Sequence, residues 1–248
     1  MPQAASRLQG KRVLVTGGAG GVGRNVARRM LEAGARVLIS DRADDDLRRV
    51  VDDLGGTAEI DAIAADVSGR EGIAQLFDRV DAWLGGLDIL VACTGVGAAP
   101  LMETDDAEWR NVINTNLMSY VACTKGAIDR IKASGANGGM IILVGSISVH
   151  IKAVGESVYN ASKGGVALFA ETLRKELMAE GIRLTLIEPG AIGTHLQPYS
   201  DDKLAEFVAA QEMLPAAEVA DAIMYAATRP PNVDVVTLRI EPLNQKIC

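Results

Sequence analysis

What most constrains this chain is a repeated alternation of short, β-branched apolar runs with stretches of helical periodicity. Apolar runs fall at 12–16, 36–40, 59–65, 87–93, 140–144, 183–188 and 235–240, and the stretches 22–33, 70–83, 108–132 and 158–180 carry apolar residues at three- and four-residue spacing. Such alternation predicts βαβ units, whose crossovers make the strands parallel. A strand with no polar face must be covered on both sides, so seven such runs predict one doubly wound α/β layer, a seven-stranded parallel sheet with helices on both faces. The length of 248 residues allows one large domain or two small ones. No Pro/Ser-rich linker breaks the alternation, so a single domain, 1–248, is expected.

Composition adds one clue and removes several function classes. The chain holds 26 glycines, about 10% where ~7% is usual, so the fold has a special need for glycine. Part of that need is punctuation: Gly34, Gly55-Gly56, Gly85-Gly86 and Gly181 each follow a helical stretch and precede a strand, where a left-handed residue closes a helix. A net charge of −7 argues against phosphate-backbone binding, so nucleic acid is not an expected partner. Cys93, Cys123 and Cys248 form neither a disulfide framework nor a metal-ligand spacing, so no metal is expected and a reducing cytoplasm fits best. The start, Met1-Pro2-Gln3-Ala4-Ala5-Ser6-Arg7, lacks a secretory apolar region, and no apolar run reaches the ~18 residues of a membrane span. The Asp44-Asp45-Asp46 run reads as a solvated helix start.

The remaining glycines concentrate where strands end. Thr16-Gly17-Gly18-Ala19-Gly20-Gly21-Val22-Gly23 joins the first strand to the first helix. Such a turn brings backbone N–H groups and a helix N-terminus close to a pyrophosphate, an approach that a Cβ would obstruct, so Gly17, Gly20, Gly21 and Val22 are candidate dinucleotide contacts. The second strand ends in Asp41, at the distance where an acidic side chain accepts hydrogen bonds from the adenosine ribose and repels a 2′-phosphate. That favours NAD, although Arg42 follows and could attract the phosphate of NADP. Asp66 and Val67 close the third strand, placed to meet the adenine amino group and cover the ring, and Cys93 and Gly95 turn at the end of the fourth.

Tyr159 and Lys163 are four apart at the start of a long helical pattern and project from one face. A phenol of pKa ~10 is a poor base at neutral pH, but a neighbouring ammonium and a positively charged nicotinamide would both favour the phenolate. The pair could then take a proton from an alcohol or return one to a ketone. Ser146 follows the fifth strand at the same edge, where its hydroxyl could hold the reacting oxygen.

These residues, with Asn116 and with Pro189-Gly190 followed by Thr194, together resemble the short-chain dehydrogenase/reductase family over essentially the whole chain. The resemblance implies a Rossmann fold and hydride transfer between a nicotinamide cofactor and a secondary alcohol or carbonyl. It implies Tyr159 as acid/base, Lys163 as the group that lowers the phenol's pKa and holds the nicotinamide ribose, and Ser146 as the group that orients the substrate oxygen. Asn116 would bind a relay water, with Asn114 as the competing choice, and Pro189, Gly190, Ile192 and Thr194 would flank the nicotinamide. Two departures stand out. Ala92-Cys93-Thr94-Gly95 replaces the usual Asn-Asn-Ala-Gly, removing side-chain hydrogen bonds at the centre of the sheet and leaving Cys93 as a small filler. The tail Arg239-Ile240-Glu241-Pro242-Leu243-Asn244-Gln245 is loosely similar to the Arg-Pro-Thr-x-Gln ending of a subgroup acting on hydroxy acids and small aldehydes or ketones.

The segment between Thr194 and Pro215 carries only His195 and Lys203 as potential cations, so a small, fairly apolar alcohol or ketone is the expected substrate rather than a large anionic carrier. His150 is a further candidate substrate contact. The 108–132 and 158–180 helices resemble those that pair in the family's dimers and tetramers, which makes a homotetramer or homodimer the expected assembly. Three functions follow: an NAD(H)-dependent alcohol dehydrogenase or ketoreductase; an NADP-dependent 3-oxoacyl-type reductase, if Arg42 outweighs Asp41; or a catalytically silent NAD-sensing module.

Overall fold

The computed structural model describes residues 7–135 and 138–245; the first six residues and Cys248 lie outside them. Seven strands form one parallel sheet: β1 (Arg12–Thr16), β2 (Arg36–Asp41), β3 (Ile60–Ala64), β4 (Ile89–Ala92), β5 (Met140–Val144), β6 (Arg183–Pro189) and β7 (Thr237–Ile240). Their order is β3-β2-β1-β4-β5-β6-β7. The chain therefore starts in the middle, winds to one edge, returns, and winds to the other. The reversal lies between β1 and β4, and in open α/β sheets ligands bind in the crevice at such a switch point.

The covering helices are α1 (Gly21–Glu32), α2 (Asp44–Asp53), α3 (Arg70–Arg79), α4 (Asp106–Ile113), α5 (Ser119–Ala133), α6 (Ser148–Ile151), α7 (Ser157–Leu177), α8 (Asp201–Ala209) and α9 (Ala216–Ala227). The two-residue side-chain period of β1 shows how both faces are sealed. Val13 and Val15 pack with Val26 and Met30 of α1 and Val219 and Ile223 of α9, whereas Leu14 joins the opposite core with Leu76, Ile131 and Val166 of α3, α5 and α7. Each of these side chains is fully buried, and burying one of this size stabilises the fold by roughly 1.5–3 kcal/mol.

Local chemistry sets the element ends. A reciprocal capping box starts α4: the Asp105 carboxylate accepts from the Glu108 N–H at 2.8 Å while the Asp105 N–H donates to the Glu108 carboxylate at 2.9 Å. The expected left-handed closures at Gly34 and Gly181 have φ of 82° and 66°. Asp44, Asp45 and Asp46 do form the first turn of α2, where Arg48 and Arg49 pair with them across the surface.

The structure departs from the sequence reading in its helices: the stretch expected over 70–83 ends as α3 at Arg79 and continues in a π-helical turn, Val80–Leu84, and α8 is a further helix beyond the stretches read from periodicity. The stretch expected as one helix over 108–132 is broken into α4 and α5 by a π-helical turn, Asn114–Met118, which widens the backbone at Asn116. Helix α9 was not distinguished, although Pro215 followed by Val219, Ala220, Ile223 and Ala226 at helical spacing carries its signal.

Gly23 illustrates how tightly α1 is fitted. A Cβ there would be driven into the carbonyl oxygen of Gly17, a backbone atom that cannot rotate away. Gly→Ala in a helix ordinarily gains up to ~1 kcal/mol. Gly23→Ala is expected to reverse that sign and lower stability by about 1–3 kcal/mol, read as a lower urea midpoint at unchanged slope.

Candidate active site

Parallel pairing aligns the strand ends: Thr16 faces Ser40 on one side and Ala92 on the other, so the turns after β1, β2 and β4 open at one edge. The groove there is lined by Gly17, Gly20, Asp41, Asp66, Val67, Cys93 and Gly95, together with Arg42. The structure thus brings together seven of the residues expected to contact a dinucleotide. Gly17 has φ 69°, and a Cβ on it would lie 2.8 Å from the Thr94 nitrogen; one on Gly21 would lie 2.7 Å from the Thr194 methyl carbon. The cradle is shaped for backbone approach. Helix α1 has Gly20 at its N-cap, no side-chain cap and no acidic residue in its first turn, so its positive end stays available to an anion. The donor set and the cradle fit a diphosphate.

Asp41 is fixed by its own surroundings. Its carboxylate accepts from the Ala19 N–H at 3.1 Å and the Arg42 N–H at 2.8 Å, tying the end of β2 to the glycine-rich turn. Asp66 accepts from the Ser68 N–H at 3.0 Å; hydrogen bonding to Ser68, aided by the charge of Arg42, holds its carboxyl below the usual range against the opposing effect of burial.

At the inner end of the groove four polar side chains gather from three elements. Lys163, on α7, is 4% exposed and donates to the Val144 carbonyl at 3.0 Å and to the Tyr120 hydroxyl at 3.4 Å. Burial pulls its pKa down to about 8. Tyr159 stands one turn earlier on the same helix. Burial raises its pKa, the hydrogen-bonding Ser146 hydroxyl pulls it back, and Glu156 adds to the rise. The Lys163 ammonium, expected to lower the Tyr159 pKa, is directed here at Val144 and Tyr120. Ser146 itself accepts from the Ser148 N–H at 3.1 Å, fixing the bend after β5.

Asn116 is fully buried in the π turn. Its amide clasps the residue after Gly95 from both sides, accepting from the Val96 N–H and donating to the Val96 carbonyl, each at 2.8 Å, and its second N–H reaches the Ser162 hydroxyl at 3.3 Å. Both amide protons are thus engaged, and Asn116 fixes the loop after β4. A Cβ on Gly95 would sit 3.7 Å from both the Asn116 oxygen and the Lys163 nitrogen, which places that glycine between them.

Beyond β6, the Gly190 N–H donates to the Ile240 carbonyl at 2.7 Å, and the Ala191 N–H donates to the Gln245 side chain at 2.9 Å. The C-terminal tail therefore braces the Pro189-Gly190 turn, and Ile192 bridges to Leu214 while Thr194 covers Gly21. Sequence reasoning singled out Gln245 only as part of a tail pattern. It missed Tyr120 altogether, since a tyrosine at an inward helix position looks like ordinary core. His150 is turned toward buried Glu188, with its Nε2 3.1 and 3.2 Å from the carboxylate oxygens, and toward Arg239. Its observed partners belong to this cluster rather than to Ser146 and Tyr159. The Cys93 thiol is pushed up to about 12 by burial, in keeping with a filler. Among the described residues no group of His, Cys, Asp or Glu could hold a metal ion, and no helix is long and apolar enough to cross a membrane.

Comparison with known proteins agrees with this geometry. The chain is 35% identical over 223 residues to cis-4-hydroxycyclohexanecarboxylate dehydrogenase of Sinomonas cyclohexanicum, covering 87% of this chain and 88% of that one. It is 30% identical over 240 residues to an NADP-dependent 3-hydroxy acid dehydrogenase of Escherichia coli K12, covering 94% and 95% respectively. The crystal structure of a dehydrogenase/reductase from Sinorhizobium meliloti 1021 superposes with a TM-score of 0.84 at 28% identity, over 97% of this chain and 98% of that one. Residues 11–205 match the short chain dehydrogenase family. With its seven-stranded Rossmann-like sheet and a groove suited to a nicotinamide dinucleotide, the chain belongs to that family of oxidoreductases.

Proposed function

We propose that this protein is an NAD(H)-dependent dehydrogenase or ketoreductase that interconverts a small secondary alcohol and its ketone or aldehyde. The observation that carries the reading is the convergence of Ser146, Tyr159 and Lys163 at the inner end of a groove whose outer end carries Asp41. A nicotinamide, when bound, supplies or accepts the hydride. On this reading Pro189, Gly190, Ile192 and Thr194 shape the wall beside the nicotinamide. The Ser146 hydroxyl holds the substrate oxygen, and the Tyr159 phenol exchanges the proton with that oxygen. Because burial favours the neutral phenol, Tyr159 is poised to donate a proton to a carbonyl near neutral pH. Lys163 contributes positive charge below pH about 8.

The preference for NAD rests on Asp41. Its carboxylate is oriented by two backbone N–H groups and would meet the ribose hydroxyls, while repelling a 2′-phosphate. Arg42 lines the same groove and one relative is named as NADP-dependent, so an NADP-dependent 3-oxoacyl-type reductase is the second reading. The presence of Asn116, Ser146, Tyr159 and Lys163 together favours an enzyme over a silent NAD-sensing module. A homotetramer or homodimer in a cytoplasmic setting completes the proposal. Met118 on the π turn and Leu168 on α7 leave large apolar side chains exposed, which supports pairing through those helices.

Asp41→Ala is expected to relax discrimination between NAD and NADP by at least tenfold in the ratio of dissociation constants; tighter wild-type binding of NADPH than NADH refutes the assignment. Tyr159→Phe is expected to retain dinucleotide binding and lose turnover by at least a thousandfold on any substrate the wild type accepts. Lys163 costs stability in its charged form, because its folded pKa of about 8 lies below the ordinary 10.5. That cost is full below pH 8 and is relieved as pH rises toward 10.5, where the folded state has shed a proton that the unfolded chain still holds. Lys163→Met is therefore expected to be more stable than wild type at pH 7 by on the order of 3 kcal/mol, with the difference shrinking above pH 8, as read by denaturant titration across pH.

A further inference from the structure

Tyr120 is only 1% exposed, yet it brings a hydroxyl into the core face of α5 among Cys123, Ala127 and Ile131. That hydroxyl lies 2.9 Å from the Thr94 carbonyl and 2.9 Å from the Val144 carbonyl, just beyond Ala92 and Leu143, the last residues that pair between β4 and β5. One O–H proton serves these two carbonyls, and the oxygen's lone pairs remain free to accept. The Lys163 ammonium is 3.4 Å away as donor, it also donates to the same Val144 carbonyl at 3.0 Å, and it lies 4.9 Å from the centre of the Tyr120 ring. A buried ammonium thus meets a carbonyl, a hydroxyl lone pair and the electron-rich face of an aromatic ring in one place.

We propose that Tyr120 is a positioning residue for the proton-transfer site: its hydroxyl ties the ends of β4 and β5 together and, with its ring, holds the Lys163 ammonium at the point where the loops bearing Gly95 and Ser146 diverge. The proposal rests on the reading of Ser146, Tyr159 and Lys163 as the reacting centre and extends it to a residue outside that set. It also accounts for Cys93 and Thr94. Neither side chain makes a hydrogen bond across the strands, and the Thr94 hydroxyl is buried without a partner, so the polar tie at this junction comes from the neighbouring helix instead.

Tyr120 acts through Lys163 and not as an acid or base in its own right. Burial, with Cys93, Tyr159 and Cys123 nearby, pushes its phenol well above its ordinary range, so it remains protonated. The Cys93 thiol after β4 is the titratable group that acts on the ammonium, while the Cys123 thiol on α5 and Tyr159 on α7 act on the Tyr120 phenol and Glu156, just before α7, acts on Tyr159. Burial pushes both thiols up to about 12, so they stay neutral, and Glu156 is also raised by burial. The hydroxyl lone pair and the ring face are thus the contacts through which Tyr120 favours a charged Lys163.

The test needs no substrate. The ε-carbon of Lys163 in 13C-lysine-labelled protein is assigned by its absence in Lys163→Met and titrated by NMR in wild type and in Tyr120→Phe, which keeps ring and volume and removes the hydroxyl. The proton affinity of Lys163 is expected to fall about tenfold in Tyr120→Phe, and further in Tyr120→Met, which also removes the ring. An unchanged Lys163 midpoint in a folded Tyr120→Phe overturns the proposal, as does failure of both variants to fold, which would make Tyr120 a structural residue only. If the protein oxidises an alcohol, kcat falls about tenfold in Tyr120→Phe with KM little changed. A protein with no turnover but a shifted Lys163 midpoint would refute the enzyme reading and leave the positioning claim standing.

Discussion

Parallel pairing with a common register is the constraint on which everything else in this molecule depends. Because β1, β2, β4, β5 and β6 all point the same way and pair residue for residue, their last residues fall at one edge, and each following turn opens there. Gly17, Asp41, Gly95, Ser146 and Pro189 are far apart in sequence and adjacent in space for that reason alone. A slip of one residue in any strand would invert its side chains between the two cores, exchanging Leu14 with Val13 and Val15 and moving the turn that follows. The apolar seal on both faces therefore also sets the geometry of the site.

That edge is where the fold accepts groups that a core ordinarily excludes. Lys163 and Asn116 are buried, and so is the Tyr120 phenol. Each is offset by specific partners: the carbonyls of Thr94, beyond β4, and of Val144, at the end of β5, the backbone of Val96, and the Ser162 hydroxyl. The π turn at Asn114–Met118 belongs to the same arrangement, since the wider backbone sets Asn116 against Val96 at the cost of a regular helix. Stability is given up locally so that charge and hydrogen-bonding capacity are held in place before any ligand arrives.

The fold was legible because its signals are local and redundant. Each of the seven strands appears within a residue or two of its predicted run, and Gly34 and Gly181 closed helices as their positions implied. Within the site, the glycine-rich turn, Asp41, Ser146, Tyr159 and Lys163 were legible because each sits at a strand end or on one helix face, positions that periodicity fixes. What escaped notice depends on distance in space. The role of Tyr120 requires knowing that α5 lies across the β4–β5 junction, and the brace from Gln245 to Ala191 requires knowing that the tail returns beside β6. The partners of His150 were hidden for the same reason, because Glu188 and Arg239 come from two strands that sequence spacing does not connect.

The central claim is that this edge of the sheet transfers hydride between a carbinol carbon and a nicotinamide while its side chains handle the proton. The most direct measurement is to incubate the purified protein with NAD and a panel of small secondary alcohols deuterated at the carbinol carbon, and to analyse the reduced dinucleotide by mass spectrometry. The account predicts that at least one alcohol yields reduced nicotinamide carrying the deuterium, formed faster with NAD than with NADP. Reduced dinucleotide without the label, or none with any alcohol or with the matching ketones in reverse, would contradict it.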